Sequence, residues 1–101
     1  MPKGFWIASI DISDPDTYKH YVAANALPFT KYGARFLVRA GKFQVLEGSA
    51  HSRNVVIEFP SYQAALDCYD SPEYQQAKAI RLPVASGNLL IVEGYEGPQP
   101  G

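Results

Sequence analysis

The stretch Arg53–Arg81, RNVVIEFPSYQAALDCYDSPEYQQAKAIR, decides the fold of this chain. Its first part, Asn54–Phe59, is rich in β-branched and aromatic residues, and Pro60 prevents that strand from continuing inside a sheet. Ser61 is typical of a helix N-cap, and Ser71, with a proline after it, predicts a second helix start. The stretch therefore predicts a strand followed by a broken helix. No residue in it demands a particular reaction.

Upstream, the residues predict a strand and a helix. Gly4–Asp11 is an almost unbroken apolar run, which is typical of a central strand covered on both faces. An aspartate before Pro15 predicts a helix that begins at this proline. Pro28 removes a helical amide, so we expect the helix to kink there, or to end and restart near Leu27. Gly33 is expected to close it.

A second strand is predicted at Ala34–Ala40, ARFLVRA. Because side chains alternate along a strand, Phe36 and Val38 are expected on one face, and Leu37 and Arg39 on the other.

The next segment predicts a hairpin. Phe43–Leu46 resembles more strand, so we favour a long hairpin that turns near Gly48 and returns through Arg53–Phe59. A turn at Gly41–Lys42 is the alternative. After the broken helix, Asn88–Tyr95 predicts the last strand.

This order, β-α-β-β-α-β, predicts an α+β fold of the ferredoxin-like type, with both helices on one face of a four-stranded antiparallel sheet. Every strand carries apolar residues at neighbouring positions, and therefore on both faces, as at Phe5 and Trp6 or Leu90 and Ile91. The face away from the helices is therefore too apolar to meet water, and we expect a second copy of the chain to cover it.

Composition limits the other classes of partner. The 101 residues predict a single domain, 1–101, with a loose tail at 97–101, and 47% of them are hydrophobic. Nine basic and ten acidic side chains show no run of like charge, so neither nucleic acid nor an anionic membrane is expected as a partner. Cys68, the only cysteine, excludes an internal disulfide, and no apolar run approaches a membrane span. A cytoplasmic location is the expectation.

Three stretches carry a resemblance to a known family: the opening GFWIASIDISDPDTYKHYVAANALPF, the middle KYGARFLVRAGKFQVLEG with RNVVIEFPSYQAALDCYDSPEYQQAK, and the closing LLIVEGYEG. Together they resemble domain of unknown function 1330, a family of small proteins of the dimeric α+β barrel type. The resemblance implies this fold and a homodimer. Families with the same barrel include cofactor-independent monooxygenases and other enzymes, but the resemblance implies no catalytic residues here.

Arg39, Glu58 and Glu93 are charges inside otherwise apolar strands. One interpretation is structural: an ion pair within the sheet or across a dimer, or simple exposure near strand ends. The other is a polar pocket in the barrel. There Arg39 would hold a carboxylate or enolate, and a glutamate of raised pKa would act as acid or base. We expect the two glutamates on strands that run in opposite directions.

Three further residues are candidates for such a pocket. Tyr21 lies on a face of the first helix that is apolar but lined with phenol groups, and packing is the alternative role for these rings. Asn25 lies on the same stripe, where a buried amide needs partners. Trp6 has the aromatic surface to stack on a ring, although core packing is its usual role.

Other chemistry is not supported by the sequence. Neither His20 nor His51 has acidic ligands at metal spacing beside it, so no metal site is expected. No phosphate-binding glycine motif is present, so no cofactor is expected. The serines lack a nucleophile-elbow context, and Cys68 is expected to be a buried, inert thiol.

The sequence thus favours a homodimer that binds a small organic molecule in a polar pocket, and it leaves open whether that protein is a cofactor-independent enzyme. The alternative is a non-catalytic dimeric structural or interaction module. A cavity reached by Arg39 and a carboxylate would favour the first, and a tight salt bridge without a void the second.

Overall fold

The computed structural model describes all of the chain, Met1–Gly101. Its elements follow in this order: β1 (Gly4–Ile12), α1 (Pro15–Lys31), β2 (Arg35–Arg39), β3 (Arg53–Phe59), α2 (Tyr62–Asp70), α3 (Pro72–Arg81) and β4 (Ala85–Glu93). The predicted order of strands and helices is confirmed, with the broken helix present as α2 and α3.

The four strands form one antiparallel sheet in the order β2-β3-β1-β4. This is the ferredoxin-like arrangement, in which each βαβ unit skips one strand. Because β3 and β4 both pair antiparallel with β1, they run parallel to each other. The expectation that they run in opposite directions was therefore wrong.

All three helices begin at a side-chain cap that the sequence predicted. Asp14 Oδ1 accepts the Thr17 amide at 3.2 Å, and the Ser61 and Ser71 hydroxyls accept the amides three residues further on at 3.0 and 3.2 Å. A cap of this kind stabilises a helix by about 1 kcal/mol because it pairs a backbone donor that has no partner inside the helix.

The helix α1 does not end at Pro28. It continues to Lys31, and Pro28 is one of the largest fully buried side chains. The proline lies three residues before the end of the helix and removes one backbone hydrogen bond, while its ring is buried. Gly33 then has φ of +75°, as predicted for a residue that closes a helix.

Strand β2 contains a β-bulge that the sequence did not predict. The register pairs Phe36 with Ile57 but Val38 with Val56, so a β-bulge lies between them and Leu37 is the extra residue. The bulge shifts the alternation by one, so the prediction that Phe36 and Arg39 lie on opposite faces was wrong.

The hairpin is also shorter than expected. Residues 40–52 form a loop without regular structure, so Phe43–Leu46 is not a strand. Two polar anchors hold the end of this loop to β1: the Ser52 amide donates to Asp11 Oδ1 at 2.9 Å, and His51 Nδ1 lies 2.7 Å from Asp11 Oδ2. The end of the loop is therefore held to β1 by hydrogen bonds to the Asp11 side chain and not by a backbone ladder within a hairpin.

Strand β4 begins at Ala85, three residues before the predicted start, and passes through Gly87. Gly87 has φ of +142°, and a Cβ there would overlap the Ser9 carbonyl oxygen. Gly87 therefore allows close approach of β4 to β1.

The core lies between the helices and one face of the sheet. Trp6 is at its centre: its ring packs edge-on against Phe29 and Tyr74, and its Nε1 donates to the Ala65 carbonyl at 2.9 Å. Cys68 is fully buried beside this cluster. None of the helices combines the length and apolar character needed to cross a membrane.

The opposite face of the sheet has no covering layer. A row of directly paired residues, Val38, Val56, Ile7 and Leu90, runs across all four strands. Val38 is 42% exposed, Ile7 39% and Leu90 51%. The predicted apolar second face is therefore present and open to solvent in a single chain.

Candidate functional site

A cavity of about 50 Å³ lies between the helices α1 and α3 and the sheet. It is at the end of the sheet where β1 and β2 finish and β3 begins, since Ile10, Arg39 and Arg53 all contribute to its wall. Twelve of the sixteen lining residues are hydrophobic. The other four are Asn25, Arg39, Arg53 and Arg81, so every charge on the wall is positive.

The β-bulge brings Arg39 to this wall. With the alternation shifted, Arg39 pairs with Val55 on the helix side of the sheet, and its guanidinium lies 4.2 Å from the centroid of the Phe36 ring. The side chain is exposed, which places it at the edge of the cavity.

Arg53 and Arg81 are half-buried and were not singled out from the sequence. Arg53 lies 5.4 Å from the centroid of the Tyr18 ring, and its Nε is buried without a hydrogen-bond partner. Arg81 lies 5.6 Å from the centroid of the Tyr21 ring.

The spacing of Arg53 and Arg81 from neighbouring buried residues is the sequence signal that could have placed both on the cavity wall. Arg53 has the parity of the buried residues Val55 and Ile57, and Arg81 lies four residues after the buried Ala77.

Two buried phenols form the inner wall. The Tyr21 and Tyr74 hydroxyls are 2.8 Å apart, and Tyr74 has no exposed surface. Burial, with the neighbouring Tyr74, raises the pKa of Tyr21, and burial also raises the pKa of Tyr18 and of Tyr74. All three phenols therefore stay neutral near neutral pH and act as hydrogen-bond donors and acceptors.

Four of the six residues predicted for a pocket line this cavity: Arg39, Trp6, Asn25 and Tyr21. Asn25 is buried on α1, one turn after Tyr21. Trp6 contributes its surface from the core, where its indole hydrogen bond already holds it. Their binding of a ligand stays a prediction.

Glu58 and Glu93 do not line the cavity, and the geometry does not bring them to Arg39. They pair with Phe5 and Gly4, so both lie at the opposite end of the sheet. Because neighbouring positions on β1 face opposite ways, the two glutamates also lie on opposite faces. The cross-strand neighbour of Glu58 is Arg35, and no arginine forms an ion pair within 4.0 Å.

A second, wider groove of about 450 Å³ lies between the helical layer and β4. It shares Ile10, Arg81 and Leu89 with the cavity, but it is more open to solvent. The cavity between α1, α3 and the sheet is the better candidate for a binding site, because its less open apolar wall removes more of a ligand from water.

Solved structures share this fold. RPA0582 from Rhodopseudomonas palustris, a protein of unknown function, has a TM-score of 0.74 and 15% identity, over 95% of this chain and 85% of its own. SnoaB, a cofactor-independent oxygenase from Streptomyces nogalater, has a TM-score of 0.63 and 10% identity, over 99% and 97%. A dimeric ferredoxin-like protein of unknown function from Thermobifida fusca YX has a TM-score of 0.58 and 18% identity, over 91% of this chain and 89% of its own. Such identities show the fold alone.

Sequence comparisons give one match. A family model described as Domain of unknown function (DUF1330) matches residues 3–95. No curated protein matches the chain.

Proposed function

The chain belongs to the DUF1330 family, and on that basis we propose that it is a homodimer whose subunits each bind a small organic molecule in the cavity between α1, α3 and the sheet. The observation that carries the proposal is the cavity wall, in which polar groups converge on an otherwise apolar space. A structural module would have no need of three arginines around a void. The volume is below the roughly 300–1,000 Å³ of drug-sized sites, so we expect a small ligand.

The wall also limits the chemistry that a bound molecule would undergo. It contains no Asp, Glu, His or Lys, so the earlier hypothesis of a glutamate acid or base has no support in this cavity. Arginines and neutral phenols stabilise negative charge on a ligand. If the protein is a cofactor-independent enzyme, it would act by stabilising an anionic form of its substrate.

A panel of small neutral and charged compounds tests the binding proposal by changes in amide NMR signals. We expect at least one compound to shift the signals of residues on the cavity wall. Ala8→Leu, which fills the cavity, should abolish that effect, whereas Ala23→Leu on the exposed side of α1 should not. If no compound shifts these signals, or if Ala8→Leu leaves binding intact, the proposal is wrong.

The dimer proposal is supported by the row of Val38, Val56, Ile7 and Leu90 on the open face of the sheet. A second copy would cover this row with an identical row and remove both from water. A structural neighbour, the Thermobifida fusca protein, is described as dimeric.

Light scattering at micromolar concentration tests the dimer. We expect twice the 11.1 kDa of one chain. Leu90→Glu should give the mass of one chain, while Leu27→Glu, at a 66% exposed position on α1, should leave the dimer intact. A wild-type protein with the single-chain mass at this concentration would refute the proposal.

A further inference from the structure

Taking the proposed cavity as the binding site, we infer that its ligand is a small organic acid whose carboxylate is bound by Arg39, Arg53 and Arg81. The chain has four arginines, and three of them are on this one wall. None of the ten acidic side chains joins them there. The sequence suggested Arg39 alone as a residue that would hold a carboxylate or enolate. The inference adds Arg53 and Arg81 to it and selects the carboxylate of a small organic acid.

None of the three guanidinium groups forms an ion pair within 4.0 Å. The ion pairs of the chain involve two lysines and a histidine, and no arginine takes part in one. Arginine keeps its charge at all physiological pH values, and like charges around a partly buried space repel. The neighbouring phenols do not compensate, because burial raises their pKa and keeps them neutral. An anion in the cavity would remove this imbalance.

Arg53 supplies an independent sign of a missing partner. Its Nε is buried, and no hydrogen-bond acceptor in the chain reaches it. Buried donors in folded proteins are nearly always paired, because an unpaired one loses its hydrogen bond to water. A carboxylate has the geometry to accept from two donors of one guanidinium, and so it would satisfy this group.

Aromatic rings hold the arginines in a suitable position. The guanidinium groups lie over Phe36, Tyr18 and Tyr21, at 4.2, 5.4 and 5.6 Å from the ring centroids. A ring over a guanidinium attracts its charge without accepting a conventional hydrogen bond, so this contact leaves N–H donors for a carboxylate. The mostly apolar wall would bury the remainder of the ligand, which favours an organic acid over an inorganic anion.

Matched ligands test the inference: benzoate, its neutral analogue benzamide, and inorganic phosphate, with acetate and phenylacetate and their amides as further pairs. Binding is measured by calorimetry and by amide NMR shifts on the dimeric protein. We expect at least one acid to bind on the order of tenfold more tightly than its amide and than phosphate, with an affinity that falls as salt increases.

Four substitutions locate the site. Arg39→Gln, Arg53→Gln and Arg81→Gln should each weaken binding of that acid by about tenfold. Arg35→Gln, which removes the one arginine outside the cavity wall, on the outer face of the sheet, should leave binding of that acid unchanged. If a glutamine variant fails to fold, Arg→Lys at the same position keeps the charge and should show the same direction of effect, because lysine cannot donate two parallel bonds.

The outcomes separate this inference from the proposed function. If an amide binds as tightly as its acid, the cavity binds small molecules but is not an acid site. The inference is also overturned if phosphate binds as tightly as the acid, if Arg35→Gln weakens binding of the acid as much as the other three substitutions do, or if no acid binds. The proposed binding function itself fails if no neutral compound binds either, or if Ala8→Leu leaves binding intact.

Discussion

The guanidinium of Arg39 lies 4.2 Å from the centre of the Phe36 ring, although the two residues are three positions apart in one strand. In a regular strand, side chains an odd number of positions apart lie on opposite faces. The extra residue Leu37 in the β-bulge changes the parity and brings both to the cavity side. One backbone irregularity therefore decides whether Arg39 belongs to the site.

Deletions in β2 test the role of the bulge. Removing Leu37 restores a regular ladder with Phe36 and Arg39 still on one face, so the upfield ring-current shift of the Arg39 side-chain protons should persist. Removing both Leu37 and Val38 should turn Arg39 to the outer face and abolish the shift. Persistence of the shift in the double deletion would contradict this account.

Gly87→Ala should destabilise the protein by about 1–3 kcal/mol, because the new Cβ would overlap the Ser9 carbonyl and the backbone has positive φ. Gly41→Ala is the matched control: a Cβ there meets nothing within 4 Å, and we expect a change within about 0.5 kcal/mol. Urea denaturation measures both. Equal effects would mean that the approach of β4 to β1 does not need glycine.

Cys68 should be unreactive in the folded protein. It has no exposed surface, and burial raises the pKa of its thiol to about 12. At pH 8, Ellman's reagent should modify it only as fast as the chain opens, whereas a cysteine introduced by Ala23→Cys on α1 should react at once.

The raised pKa of Cys68 also makes a prediction about alkaline stability. The unfolded chain releases the thiol proton near pH 9, before the folded chain does, so this contribution to stability is present below pH 9 and is lost as pH rises towards 12. Cys68→Ala should therefore reduce the fall in the free energy of unfolding over this range. An identical fall in both proteins would argue against the effect.

Asp11 should titrate well below an ordinary aspartate. Its hydrogen bond with His51, followed by the bond from the Ser52 amide, lowers its pKa from 3.8 to about 2. The contribution to stability is thus present above pH 3.8 and is lost as pH falls through 2. His51→Ala should raise the pKa of Asp11 in a carboxyl NMR titration, and His20→Ala should not change it.

Glu58→Gln should change the free energy of unfolding by less than about 1 kcal/mol at neutral pH, since Glu58 is half-exposed and forms no ion pair within 4.0 Å. It should also leave ligand binding in the cavity unchanged. A loss of roughly 2–5 kcal/mol in denaturant curves would instead indicate a buried pair.

Local patterns in the sequence were sufficient for the elements and their order. The caps at Asp14, Ser61 and Ser71 lie where predicted because a capping bond joins residues three apart and needs no distant contact. The helical apolar pattern also predicted the face of α1 that carries Tyr21 and Asn25, both of which are buried.

The cavity could be predicted only in part. Asn25 and Tyr21 were found because their face of α1 follows from regular periodicity, and Trp6 because of its aromatic surface. Arg53 and Arg81 carry the same signal, but each lies at an element end, where periodicity does not distinguish a wall residue from an exposed one.

Sequence by itself determined the ferredoxin-like fold, because the hydrophobic period, the caps and the turn residues act over a few positions and specify the order of strands and helices. Tertiary structure alone decided the composition of the site. The bulge at Leu37 and the loop at 40–52 depend on contacts between distant residues. The bulge brought Arg39 to the cavity wall that also holds Arg53 and Arg81, because a one-residue shift in register moves a side chain to the opposite face. Glu58 and Glu93 lie at the far end of the sheet because β3 and β4 both end there.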